Sequence, residues 1–113
     1  MARGLLSNKK EKLSLFDPRR TLGSGTPTRV RIRFNARNAA YIEEVCWHAS
    51  QIITPDPAHV GSIIFEVNVS HPEEVIWWMR QWGSDAEVLE PQAMRDYMLT
   101  MTQAEAAMYR QSV

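Results

Sequence analysis

Cysteine, net charge and long apolar runs are what this 113-residue sequence has least of, and each shortage excludes something. Cys46 is the one cysteine, so an internal disulfide and a CxxC metal or redox pair are ruled out, and a buried thiol in a reducing, cytoplasmic setting is the expectation. Thirteen basic and thirteen acidic side chains cancel, which confines any nucleic-acid partner to a local patch. No stretch approaches the roughly 18 apolar residues of a membrane span, and the opening MARGLLSNKKEKLSLF lacks the apolar run and cleavage site of an export signal. No Walker loop, dinucleotide fingerprint or Ser, His and Asp set occurs. His48, His59 and His71 stand at no metal-ligand spacing, so neither metal nor cofactor is expected.

What is present fits one domain, and a chain this long can bury about two thirds of its surface on folding. Residues 1–27 read as a flexible basic linker with Arg3, Lys9, Lys10, Lys12, Arg19 and Arg20, running out through Gly23, Ser24, Gly25, Thr26 and Pro27. Within it, Leu13, Leu15 and Phe16 form the one short apolar stretch suited to docking as a helical turn. The domain proper is expected over 28–113.

From Thr28 to Phe34 the residues alternate, Val30, Ile32 and Phe34 against Arg29, Arg31 and Arg33, which is a half-buried strand. Asn35 or Asn38 can cap a helix to about Cys46, with Ala39, Ile42, Val45 and Cys46 inward and Glu43 and Glu44 in water. A second strand fits Trp47 to Thr54. A turn follows through Pro55, Asp56, Pro57 and Gly61, then an alternating strand over Ser62–Val69. Ser70, Pro72 and Glu73 form a capping box opening a helix whose inner face is Val75, Trp78, Met79 and Trp82, leaving Ile76 and Trp77 off it, and Gly83 closes it in a left-handed conformation. Ala86–Leu89 is a short strand. Glu90, Pro91 and Gln92 begin a last helix with Met94, Tyr97, Met98, Met101, Ala104 and Met108 at helical spacing. Two right-handed strand-helix-strand units interleave most economically into a four-stranded antiparallel sheet with two helices on one face. The fold class is α+β, a ferredoxin-like split βαβ sandwich with an added C-terminal helix.

RVRIRF at 29–34, YIEEVCWHASQ at 41–51, the strand at 62–69, VIWWMRQWGSDAEVLEP at 75–91 and MRDYM at 94–98 together resemble the C-terminal extension, called WCX, of bacterial WYL-domain transcriptional regulators. The most specific parts are Trp47, His48, Ser50 and Gln51, and the run Trp82, Gly83, Val88, Leu89, Glu90 and Pro91. The resemblance covers roughly residues 28–100. It implies a homodimeric regulator carrying a winged helix-turn-helix, then a WYL domain, then this extension. Effector sensing would lie in the WYL and WCX parts, with nucleic acid a ligand in some members. The chain holds neither the helix-turn-helix nor the WYL barrel, so operator binding does not carry over, and a separate fragment of such a regulator is the expectation. The expected function is dimerisation and effector sensing, without enzyme activity.

Arg29, Arg31 and Arg33 would lie about 7 Å apart on the face that no helix covers, a spacing suited to successive phosphates of single-stranded DNA or another anionic effector. Against this stands simple pairing with Glu66 on a neighbouring strand. Arg37 and His48 join the candidate ligand-binding set, although a lone histidine is more often structural. Trp77, Trp78, Met94, Met98 and Met101 form the candidate dimer surface, against ordinary core filling. A stand-alone RNA- or single-strand-binding module is an alternative, weakened because Phe34 and Phe65 fall on the inward side by parity. An acylphosphatase-like enzyme using Arg37 and Asn68 rests on analogy of fold alone, since no glycine-bearing phosphate loop is present.

Overall fold

The computed structural model describes residues 27–111, so the expected linker lies, apart from Pro27, outside the described residues. Strand β1 spans Thr28–Phe34, helix α1 Ala36–Glu44, β2 Ile52–Pro55, β3 Ile63–Val69, α2 Pro72–Met79, β4 Ala86–Glu90 and α3 Gln92–Gln111. A stretch of 3₁₀ geometry over Arg80–Asp85 joins α2 to β4. The sheet runs β2-β3-β1-β4 with every neighbouring pair antiparallel. That order places the two strands of each unit apart and interleaves them, as the ferredoxin-like expectation requires.

Alternation along β1 builds the core. Val30, Ile32 and Phe34 are fully buried, and Ala39, Ile42, Ile63, Phe65, Val67, Val69, Val75, Ile76, Met79, Val88, Met94 and Tyr97 complete the buried cluster beneath the helices. Each such side chain contributes roughly 1.5–3 kcal/mol by leaving water. Aromatic rings fill the space between α1, α2 and the sheet. Phe34 lies edge-on to Phe65 at 6.1 Å and to Trp82 at 5.6 Å, and Trp78 sits 5.0 Å from Phe65 and stacks on Trp47 at 5.3 Å. Edge-on and offset contacts of this kind match the quadrupoles of the rings.

Several local expectations need correction. Strand β2 begins at Ile52 and not Trp47, because the preceding backbone is taken up by a side-chain lock described below. Helix α1 ends at Glu44, with Val45 already extended, so the helical phase that would turn Cys46 inward stops short and the thiol is exposed. The capping box at Ser70 does not form. His71 holds the N-cap position of α2 without a side-chain bond, and Glu73 is buried in the first turn, where a carboxylate complements the helix dipole. Trp82 lies past the end of regular helix. Ile76, placed off the inner face by spacing alone, is 1% exposed, since Met94 and Tyr97 of α3 join the same core and widen the buried face. Of the α3 stripe, Met94, Tyr97, Met98 and Met101 face the core, while Ala104 and Met108 are exposed.

Two glycines answer specific demands. Gly61, at φ 84°, passes so close to α1 that a Cβ there would stand 2.9 Å from the Cβ of Ala36. Gly83 has the expected positive φ, 54°, but its ψ of −127° lies outside the left-handed helical well, in a region open chiefly to glycine.

Candidate functional site

The sheet has one face under the helices and one without them, and β1 divides its side chains between the two. Register places Arg31 opposite Glu66 on β3, Arg29 opposite Asn68, and Arg33 opposite Ile64 and Glu87. The arginine row therefore exists where alternation places it. It is not an uncompensated positive stripe. Arg29 forks onto Glu66, Nε to Oε2 at 3.0 Å and Nη2 to Oε1 at 3.1 Å, and its other terminal nitrogen reaches Glu90 at 3.3 Å. Arg31 donates to Glu90 at 3.2 Å, and its Nε stands 3.4 Å from Glu66 in ion-pair range, buried and without a hydrogen bond. Arg33 donates through Nε to Asp56 and through Nη1 to Glu87 at 2.9 Å, and Glu87 also receives Arg95 from α3 at 3.3 Å. Four guanidinium groups thus share four carboxylates, and their formal charges cancel.

These pairs differ in depth. Asp56 is buried at the end of β2, where it accepts from Arg33 and from the Ala58 amide at 2.9 Å, with His59 Nδ1 3.3 Å away. Those bonds, that of Arg33 first, hold its carboxyl below the usual aspartate range. Glu66 is held down mainly by its hydrogen bond from Arg29. Arg29 has the most exposed guanidinium of the row, with 52% of its side chain open to solvent, against 27% for Arg31 and 22% for Arg33. An anion arriving at this face meets Arg29 first and must compete with Glu66 and Glu90 for it.

Arg37 is not part of this arrangement. It is exposed on α1, in the helical layer, and its backbone amide donates to the Asn35 cap at 3.1 Å. Asn68, its imagined partner in phosphate chemistry, points to the open face at the opposite end of β1, level with Arg29. The two do not meet.

His48 belongs to a lock that spacing did not reveal. The Gln51 side chain accepts from the backbone amides of Trp47, at 2.7 Å, and His48, at 3.0 Å, and donates to the Val45 carbonyl at 2.6 Å. The Ser50 amide donates to His48 Nδ1 at 3.0 Å, and the Ser50 hydroxyl lies 2.8 Å from the same nitrogen. The Ser50 hydroxyl accepts from the Asn68 amide at 2.9 Å and lies 3.3 Å from the Asn68 carbonyl, standing in for a backbone rung just before β2 begins. The pairs Trp47–His48 and Ser50–Gln51 thus close the α1–β2 loop and fasten it to β3. A second lock joins Asn35 and Asn38 to the Asp85 carboxylate at 2.7 and 3.0 Å, with the Asn35 amide on the Asp85 carbonyl at 3.0 Å. The sequence signal for the second was the pair Asn35 and Asn38 at the expected helix start, whereas Ser50 and Gln51 of the first fell inside the expected strand.

The residues expected at a dimer surface separate as well. Met94 is fully buried in its own domain, and Trp78 spends its surface on Phe34, Phe65, Trp47 and Trp82. Trp77, Met98 and Met101 are half-buried and pack against the same core. Among the described residues no cluster of three or more His, Cys, Asp or Glu side chains could hold a metal ion, and no helix is long and apolar enough to cross a membrane.

Sheet order and helix placement define a ferredoxin-like α+β domain, and the family comparison narrows this class. The model of the WCX domain family matches residues 26–106. That range covers most of the chain, which belongs to the WCX domain family. A comparison with curated proteins finds no match.

Proposed function

We propose that this domain is the dimerisation and effector-sensing C-terminal module of a WYL-type transcriptional regulator, non-enzymatic and cytoplasmic, and that its open sheet face takes an anionic effector such as single-stranded DNA. The observation that carries the reading is the row Arg29, Arg31 and Arg33 on the uncovered face of a WCX domain. The surrounding carboxylates set the mechanism. A phosphate or carboxylate ligand replaces Glu66 and Glu90 on arginines already held at strand spacing, so binding is an exchange of anions on a preorganised frame. Its net strength is modest in the isolated chain, because an exposed guanidinium gives up one partner as it gains another. A WYL domain closing over this face would exclude water and raise the value of each contact. Effector binding at that boundary would then change how two copies are arranged, and with them the attached DNA-reading domains.

Fluorescence anisotropy of a labelled single-stranded oligonucleotide at low ionic strength tests the face. The expected result is measurable, salt-dependent binding that falls at least tenfold when Arg29, Arg31 and Arg33 are all replaced by alanine. Equal binding by the triple variant would remove the arginine row from the account.

A further inference from the structure

The arginine row divides into two separate networks. Arg29 and Arg31 share the same two carboxylates, Glu66 and Glu90, in a closed ring that straddles β1. Arg33 belongs to another set, with Asp56, Glu87 and Arg95, and among the described residues no ion pair joins the two. Within the ring the carboxylates are held unequally. Glu66 forks onto Arg29 at 3.0 and 3.1 Å, and its side chain is 22% exposed. The Glu90 side chain is 44% exposed, and its bonds, 3.3 Å to Arg29 Nη1 and 3.2 Å to Arg31 Nη1, are longer than the roughly 2.7–2.9 Å of a strong charged pair. Glu90 is therefore the more readily displaced. It also spans both cations, one oxygen on each, so that guanidinium groups whose residues stand about 7 Å apart along the strand converge on one oxyanion. Among the described residues this is the one hydrogen bond that the Arg31 guanidinium makes, and its Nε is buried without any.

We infer that Arg29 and Arg31 form a seat for a single phosphodiester of a nucleic-acid strand, which takes the place of the Glu90 carboxylate while Arg33 stays with Asp56 and Glu87. Charge selects the class. A carboxylate and a phosphodiester each present a single negative charge over two neighbouring oxygens, so the exchange leaves the ring neutral with Glu66 in place. A terminal phosphate, nearer two charges at neutral pH, would leave a surplus beside Glu66. The remainder of the face supplies no stacking platform. Asn68, Glu66 and Ile64 on β3 and Ile52 and Thr54 on β2 lie beside the row, none of them aromatic, so the strand is held by its backbone and not by its bases. The inference rests on the anion-exchange reading given above and narrows it to one incoming group and one departing carboxylate.

The salt dependence of binding between the wild-type chain and a labelled oligothymidylate tests this. For a single strand the slope of log K against log salt concentration is about −0.7 per phosphate neutralised, so one diester predicts about −0.7 and three successive phosphates about −2. Glu90→Gln is expected to tighten binding roughly threefold or more, and by more than Glu66→Gln does. Thymidylyl-thymidine, with one diester and no terminal phosphate, is expected to displace the label at a lower concentration than thymidine 5′-phosphate. A slope near −2, a Glu90→Gln variant that binds like the wild type, or better competition by the 5′-phosphate overturns the single seat; the arginine face itself then stands if the triple alanine variant still loses binding. A wild-type chain that does not bind, or a triple variant that binds equally, overturns the face and the seat together.

Discussion

The two faces of the sheet are written in alternate letters of the same seven residues, and they are stabilised by different physics. On the helix side, Val30, Ile32 and Phe34 lie at 0% exposure among interlocking rings, and nothing there can be exchanged without opening a cavity. On the open side, Arg29, Arg31 and Arg33 hold paired but partly solvated charges, and a carboxylate there can give way to another anion. The difference separates tasks. Stability resides where partners are irreplaceable, and recognition suits the side where they are interchangeable.

Substitutions on the two sides should therefore act on different observables. The largest expected effect is Phe65→Ala, which removes a fully buried ring touching Phe34, Trp47 and Trp78 and should cost about 3–5 kcal/mol, read by denaturant unfolding with tryptophan fluorescence. A loss under about 1 kcal/mol would mean that the aromatic cluster is not the core's keystone. Next comes Gln51→Ala, which deprives two amides and a carbonyl of partners at once and should cost about 1–3 kcal/mol, with faster hydrogen exchange confined to residues 45–51. Glu66→Gln should change stability by no more than about 1 kcal/mol, since its partner Arg29 is half exposed, while strengthening oligonucleotide binding severalfold by freeing that guanidinium. Equal binding by this variant would dissociate the carboxylates from the recognition step.

The smallest effect is a pH dependence. Asp56 and Glu66 both titrate lower in the folded chain than their ordinary values of 3.8 and 4.5, so the folded state binds protons less readily than the unfolded one. Their contribution is fully present above those ordinary values and is lost as the pH falls through the depressed folded ones. Thermal melts from pH 6 downwards should show a decline that is shallower in Asp56→Asn and Glu66→Gln, since about one proton-linked group is removed in each. Parallel slopes would contradict the pairing.

Most of the frame was legible in the sequence because two periodicities carried it. The period of two in β1 and β3 gave strands, face and register parity, and the order of elements left few topologies. Boundaries failed where side chains bonded to backbone. Gln51 satisfied amides that would otherwise have extended β2, and helix α1 stopped before Cys46 could turn inward, the first through local side-chain bonds that hydrophobic spacing does not show. Ser70 offered a cap and lost the place to His71. At the candidate site, alternation placed the three arginines and named Glu66 as a partner, but Asp56, Glu87 and Glu90 come from a turn and an edge strand whose register only the folded sheet fixes. The motif Trp47, His48, Ser50 and Gln51, one of the two most specific family marks in the chain, forms a structural lock.

The most direct test of the division between the two faces is a titration of one labelled single-stranded oligonucleotide with the wild-type chain, with Glu66→Gln, and with the triple arginine-to-alanine variant, at two salt concentrations. Tighter binding by Glu66→Gln, loss in the triple variant and weakening by salt are the predicted results. Three indistinguishable curves would contradict the account.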